Sequence, residues 1–312
     1  MRLASISIDV DEIHCYTAIH GLSQPPAEAR WAVYTRALPR FEKLLAAHGI
    51  RATLFVVGRD LDNPQAAAAV RRFHSAGHEI ANHSYDHCYD LTRLPGSEIE
   101  RQVDLCSRAI ADLTGERPVG FRAPGYTING QVLDTLQALD LIYDSSVFPC
   151  PSYYLAKGVA LGWMALQQRP SYSILDHPRV LWAPTDPYRV GHNYRKRGQG
   201  ILELPIGVTR GYSGRLPYIG TSLILAGPSG AQWLTRAIAG RPLINLELHG
   251  IDLADAEQDH LAFLRPYQPD LNLALGRKFA SLQAAIDGLV KQRYRFVTLS
   301  EATSYFGRAA RG

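Results

Sequence analysis

An α/β fold built on a parallel sheet is the class this sequence predicts. Short β-rich runs alternate with longer amphipathic stretches through most of its 312 residues, the pattern of crossover helices between parallel strands. Hydrophobic residues make up 46% of the chain and charged residues 20%, a balance that supplies a large core and excludes a disordered chain. Seven runs read as strands: 3–9, 52–57, 78–82, 119–122, 201–204, 243–248 and 296–299. The helices between them have legible ends. Ser97-Glu98-Ile99-Glu100 reads as a capping box, after which Ile99, Val103, Cys106, Ile110 and Leu113 recur at helical spacing until Gly115 and Pro118 stop the run. Leu38, Phe41 and Leu45 form a similar stripe before Gly49, and Phe279, Leu282, Ile286 and Leu289 form another near the end. Seven or so such units imply a barrel or a doubly wound sheet, and both gather reactive side chains at the carboxyl ends of their strands.

The segment from Cys150 to Gly200 breaks the alternation. Rich in Tyr, Trp, Pro and Gly and without a clean period, it reads as an irregular insertion in an otherwise single catalytic domain, 1–312. It carries seven Lys or Arg against two Asp, a net of +5, which leaves the rest of the chain at −1. The net charge of the whole chain, +4, is too small for a nucleic-acid-binding surface. No apolar run approaches the roughly 18 residues of a membrane span. Residues 1–9 lack the pattern of a secretory leader, which makes the cytoplasm the expected compartment. Cys15, Cys88, Cys106 and Cys150 are widely spaced and read as reduced thiols.

The chemistry-bearing residues fall at element ends. Asp9 and Asp11 alternate along the first strand and so share a face, although an isolated pair of this kind more often forms a solvated, helix-capping turn. His83 and His87, four apart after the third strand, can take two positions on a tetrahedral cation, or can be ordinary structural histidines. Arg122-Ala123-Pro124-Gly125-Tyr126 follows the fourth strand, Asp144-Ser145-Ser146 follows a helix, and Leu246-Glu247-Leu248-His249 ends a late strand. Singly, Arg122 could be an ion-pair residue and His249 a core histidine. Acid pair, histidine pair, Arg-x-Pro, aspartate and lone histidine in this order carry more information than any one of them.

In that order the chain resembles the polysaccharide deacetylase family, carbohydrate esterase family four, from about Ile6 to Leu253. The resemblance implies a distorted (β/α) barrel of seven or eight strands and a divalent metal, usually Zn²⁺, held by one Asp and two His. Carried over by position, Asp11, His83 and His87 are the expected metal ligands, Asp9 the general base, Arg122 the residue holding it, and His249 the general acid. Asp144 is expected either to keep His249 charged or to bind substrate, and Pro124, Gly125 and Tyr126 to line the substrate site. The Gly125–Tyr126 peptide or the loop near His87 is expected to supply an oxyanion N–H. Val10 separates two aspartates that are usually adjacent in the family, so the roles of Asp9 and Asp11 could be exchanged. The spaced form resembles the branch that includes cytoplasmic deacetylases and lipid-linked amino-sugar deformylases.

The implied activity is hydrolysis of an N-acetyl or N-formyl amide on a small, nucleotide-linked or lipid-linked amino sugar. An allantoinase-like hydrolase of a non-sugar C–N bond and a catalytically degenerate carbohydrate-binding module are the alternatives. In the insertion, Arg195, Lys196 and Arg197 are expected to meet a substrate phosphate or an anionic membrane surface, with aromatics stacking on sugar rings.

Overall fold

The protein is described by a computed structural model covering residues 2–166, 168, 171, 173–211 and 214–307. Its strands are β1 (Leu3–Val10), β2 (Thr53–Val56), β3 (Glu79–Asn82), β4 (Gly120–Phe121), β5 (Tyr143–Asp144), β6 (Tyr188–Val190), β7 (Arg197–Glu203), β8 (Leu243–His249) and β9 (Arg295–Phe296). They form one sheet in the order β6-β7-β5-β4-β3-β2-β1-β8, with β9 also paired to β1; every pairing is parallel except β6 with β7. Beyond β7 the chain returns to β8. Gly207 N–H donates to Asn245 O (2.9 Å), and the Asn245 amide donates to Leu204 O (3.2 Å). The sheet thereby curls into the distorted barrel that the family resemblance implies.

Register sets what faces the barrel axis. β1 pairs with β8 as Leu3↔Leu243, Ser5↔Asn245, Ser7↔Glu247 and Asp9↔His249. Side chains alternate along a strand, so Ile6, Ile8, Leu246 and Leu248 go outward into the main core, which they share with Val33, Phe41, Val70, Leu223 and Ile286. The inward set changes character along the axis. Leu3 and Leu243 pack with Phe55, Ala81, Tyr143 and Leu202 at the amino end, whereas Asp9 and His249 stand at the carboxyl end.

The helices are α1 (Ile13–Ile19), α2 (Leu38–Ala47), α3 (Pro64–Ser75), α4 (Gly96–Thr114), α5 (Gly130–Ala138), α6 (Pro151–Leu166), α7 (Gly220–Ile238), α8 (Leu275–Lys291) and α9 (Leu299–Phe306). α4 buries the expected stripe and ends at Gly115 in the left-handed region (φ 83°). Its start differs from expectation. Pro95, not Ser97, is the N-cap, its carbonyl accepting from Glu98 N–H and Ile99 N–H, and Glu98 pairs with Arg101 instead of closing a capping box. The run 296–299 is a strand only at Phe296, because Thr298 forms a capping box with Glu301 that opens α9. β5 and β6 were missing from the sequence expectation, being too short to show a period. The insertion is also more regular than expected: residues 151–166 form α6, and 188–190 with 197–203 form an antiparallel pair. Arg169 and Tyr172 lie outside the described residues.

Gly120 of β4 pairs with Tyr143 of β5, and a Cβ there would lie 1.9 Å from the Tyr143 ring, whose hydroxyl donates to Glu79 (2.8 Å). Gly120→Ala is expected to lower the urea midpoint with an unchanged slope, a loss of about 1–3 kcal/mol from overpacking.

Candidate active site

At the carboxyl mouth of the barrel, the loop after β3 turns sharply. Ser84 and His87 both adopt left-handed backbone (φ 62° and 54°), and this turn aims His87 back toward β1. His87 Nε2 lies 3.1 Å from Asp11 Oδ1, and His83 Nε2 lies 3.3 Å from the same oxygen. His83 Nδ1–H donates to the Arg122 carbonyl (2.7 Å), which leaves its Nε2 lone pair directed at Asp11. Burial pushes the Asp11 carboxyl up, but the His87 and His83 imidazoles outweigh it and hold the group well below the usual carboxylate range. One carboxylate and two imidazole atoms within 4.8 Å of one another fit a divalent cation. So does their hydrogen bonding, because Asp11 Oδ1 and His87 Nε2 are buried without a hydrogen-bond partner.

Asp9, near the end of β1, faces this group. Its Oδ1 accepts from Arg122 Nη1 (2.6 Å), and its Oδ2 lies 4.0 Å from His83 Nε2. Arg122 is wholly buried and fully engaged. Nε donates to Ser145 O (2.9 Å), Nη2 donates to Ser7 Oγ and Ser145 Oγ (2.9 Å each), and the guanidinium covers the Phe55 ring at 4.2 Å. Burial raises the Asp9 carboxyl above its ordinary value despite the opposing pull of Arg122. Burial lowers the His249 imidazole, yet Glu247, with Oε1 3.0 Å from His249 Nδ1, leads the charges that hold it well above the ordinary value. Tyr126 OH lies 3.1 Å from His249 Nε2, and the Asp252 carboxylate accepts from His249 N–H (2.9 Å).

The structure thus brings together Asp9, Asp11, His83, His87, Arg122, Tyr126 and His249. It places Asp144 elsewhere: its Oδ1 accepts from Ser146 Oγ (2.7 Å), and its carboxyl shares a buried, hydrogen-bonded pairing with Glu203. The acid beside His249 is Glu247, a residue the sequence reading passed over. The signal was there, since Glu-x-His on a strand puts both residues on one face. Pro124 opens a single 3-10 turn, Pro124–Tyr126. Within it the Gly125–Tyr126 peptide N–H is already committed to Ala123 O (3.0 Å), which removes it as an oxyanion donor. Arg195 and Lys196 lie in the β6–β7 turn and Arg197 opens β7. Arg195 lies over the Tyr194 ring and Arg197 over the Tyr188 ring (4.9 and 5.8 Å), and Arg197 also donates to Pro187 O.

Fold and site together define a class: a curled α/β barrel carrying a buried Asp-His-His donor set at its mouth, with a second acid and a histidine beside it. Residues 31–143, about a third of the chain, match the family model for polysaccharide deacetylase, the family that the motifs resemble. The chain is 35% identical over 127 residues to the peptidoglycan deacetylase-like protein FGM2 of Gibberella zeae, covering 39% of this chain and 36% of that protein. It is 33% identical over 93 residues to the peptidoglycan-N-acetylglucosamine deacetylase PgdA of Listeria monocytogenes, covering 30% and 19%. The chain therefore spans about a third or less of the length of these relatives. Among solved structures, a provisionally assigned polysaccharide deacetylase of Mycobacterium smegmatis aligns over 98% of this chain and 90% of that one, with a TM-score of 0.58 at 18% identity. A family-four pseudoenzyme of Bacillus anthracis aligns over 96% and 64%, with a TM-score of 0.51 at 15% identity. The matched segment contains His83, His87, Arg122 and Tyr126; Asp9, Asp11 and His249 lie outside it and join them through the fold.

Arg122→Met leaves the buried Asp9 charge unpaired and is expected to cost about 3–5 kcal/mol in urea denaturation. Arg122→Met/Asp9→Asn is expected to recover part of that loss, and strictly additive losses would show that the pair is not coupled.

Proposed function

We propose that the chain hydrolyses the N-acyl amide of an amino sugar with a divalent metal, zinc by the chemistry of its donors, held by Asp11, His83 and His87. The observation that carries this reading is the pairing of that donor set with a fixed acid–base couple: Asp9 locked by Arg122 on one side, and His249 charged by Glu247 in register opposite it. The names of the relatives, peptidoglycan and chitooligosaccharide deacetylases, support an N-acetylated amino sugar as the substrate.

A divalent ion in the site supplies electrophilic activation of the amide carbonyl and a lowered water pKa. The rest falls to the chain. Arg122 fixes one oxygen of Asp9 and leaves the other facing the donor set, where it takes the proton of the attacking water. Water oxygen bonds to the acyl carbon, the C–N bond breaks, and the protonated His249 delivers a proton to the departing amine. Products are the free amine and the carboxylic acid. Tyr126, on His249 Nε2, holds the imidazole at the pocket wall, and Glu247 fixes its other face.

For the substrate we infer a small, lipid-linked or nucleotide-linked amino sugar, in keeping with the spaced Asp9-Val10-Asp11 motif. Val10 packs in the outer core while both acids face inward, so the spacing keeps two carboxylates at the mouth. The cytoplasm is the compartment this reading assigns, and the four cysteines, all free, fit it.

Purified protein is expected to carry about one equivalent of divalent metal, with His83→Ala and His87→Ala losing it; metal-free wild type refutes the reading. Amine release from N-acetyl and N-formyl amino sugars is expected to fall at least about a hundredfold in Asp9→Asn. Glu247→Gln should lower kcat/KM about tenfold or more and shift the alkaline limb of the pH profile to lower pH. The sign follows from His249 acting as its protonated form: removing the charge that raises its pKa makes it lose the proton earlier as pH rises.

A further inference from the structure

α6 presents the wrong face to water. At helical spacing, Tyr153, Lys157, Leu161 and Met164 form the half-buried face, on which Tyr153 meets Tyr126 and Phe148 and the Lys157 ammonium donates to Gly125 O (2.9 Å). The opposite stripe is Leu155, Val159, Trp163 and Leu166, exposed by 68, 63, 62 and 80%. Ala156, Ala160 and Gly162 flank it, and no charged residue interrupts it. A surface helix of a water-soluble domain carries its polar residues outward. Here the outward stripe is apolar instead, and Trp182, 74% exposed, adds a large aromatic in the same region of chain.

Cations accompany this face. Tyr154 OH on α6 donates to Asp176 O (3.1 Å), and Tyr194 OH of the β6–β7 turn donates to the Asp176 carboxylate (2.9 Å), so α6 and the turn holding Arg195 and Lys196, just ahead of Arg197, close on one residue. Arg179, Lys196 and Arg197 are exposed. A helix of 16 residues is about 24 Å long, short of the roughly 30 Å hydrocarbon core of a bilayer. Among the described residues no helix is long and apolar enough to cross a membrane. An apolar stripe with aromatic residues beside a basic surface is the composition of a helix that lies in the interface of an anionic bilayer.

We propose that α6 docks this chain on an anionic lipid surface through Leu155, Val159, Trp163 and Leu166, with the β6–β7 cations on the headgroups. The active site opens beside the docked helix, since Tyr153 and Lys157 of α6 touch Tyr126 and Gly125 directly. This deepens the proposed function by selecting the lipid-linked amino sugar among its substrates, and the docking step can be tested apart from that function.

The test is flotation of the full chain with phosphatidylcholine vesicles, with and without phosphatidylglycerol, followed also by tryptophan fluorescence. Wild type is expected to float with the anionic vesicles, with a blue-shifted emission. Leu155→Ser/Val159→Ser/Trp163→Ser should reduce partitioning about tenfold or more while keeping the thermal unfolding midpoint and monomer size. Arg195→Gln/Lys196→Gln/Arg197→Gln should weaken binding and flatten its salt dependence. Three outcomes overturn the proposal: wild type that ignores both vesicles, binding undiminished in the triple α6 variant, or a wild-type dimer that the α6 substitutions dissociate, which would mean that a second copy covers the face. Vesicle binding without amine release from any N-acyl amino sugar would sink the proposed hydrolase and leave the docking intact.

Discussion

A guanidinium closed off from water is the element on which the rest of this site depends. An unpaired buried charge is among the costliest things a fold can contain, so Arg122 must be met on every side. Its side chain reaches Ser7 and Asp9 on β1, Ser145 just after β5 and the Phe55 ring on β2, while its own carbonyl accepts from His83 after β3. Asn245 of β8 joins through the Ser7 and Ser145 hydroxyls. One residue therefore orients the acid on one side of the pocket through its side chain and an imidazole donor on the other through its backbone. The strands that carry these groups are spread along the chain, and the requirement to satisfy Arg122 pulls their ends into a common geometry.

Register does the remaining alignment. Because β1 and β8 pair with odd residues inward, a graded column runs from Leu3 and Leu243 through Ser5, Asn245, Ser7 and Glu247 to Asp9 and His249. A slip of one residue would turn the whole column into the outer core and expose Ile6 and Ile8 to the barrel axis. The apolar lower half thus protects the register of the polar upper half, and packing far from the chemistry determines which oxygen faces which nitrogen.

The parts of this arrangement that were legible in sequence are those whose chemistry is local. Asp9 and Asp11 two residues apart, His83 and His87 on one turn, and Arg122 and His249 at strand ends were marked by residue type and spacing, and their order, through the resemblance it carries, marked them together. Contacts made across the fold carry no such mark. Asp144 looked like a partner for His249 because its motif precedes the histidine in the resemblance and a nearby carboxylate raises a histidine pKa, yet its carboxyl is taken by Ser146 and by Glu203, 59 residues away on the neighbouring strand. Glu247 was hidden by proximity, read as part of the histidine's motif instead of as its partner. β5 and β6 escaped because two or three residues cannot display a period, and α6 because its outward apolar stripe cancels the amphipathic pattern by which surface helices are recognised.

Charge balance links the geometry to the proposed metal. If His83 and His87 are neutral, as donors to a cation must be, Asp9, Asp11 and Glu247 face only the Arg122 guanidinium and the His249 imidazolium, and the buried mouth is left negative. Burial drives such groups toward protonation, which is why Asp9 is raised and why Asp252, behind His249, is pushed up to about 7. Asp11 alone goes the other way, held ionised by the two imidazoles that converge on it. Without a cation, His83 is drawn toward its protonated form by the carboxylates of Asp9 and Asp11, which raise it above its ordinary value despite its burial. A divalent ion held by Asp11, His83 and His87 would supply the missing positive charge and partner Asp11 Oδ1 and His87 Nε2, and in the proposed reaction Asp9 and His249 would then be the two groups left to exchange a proton with substrate.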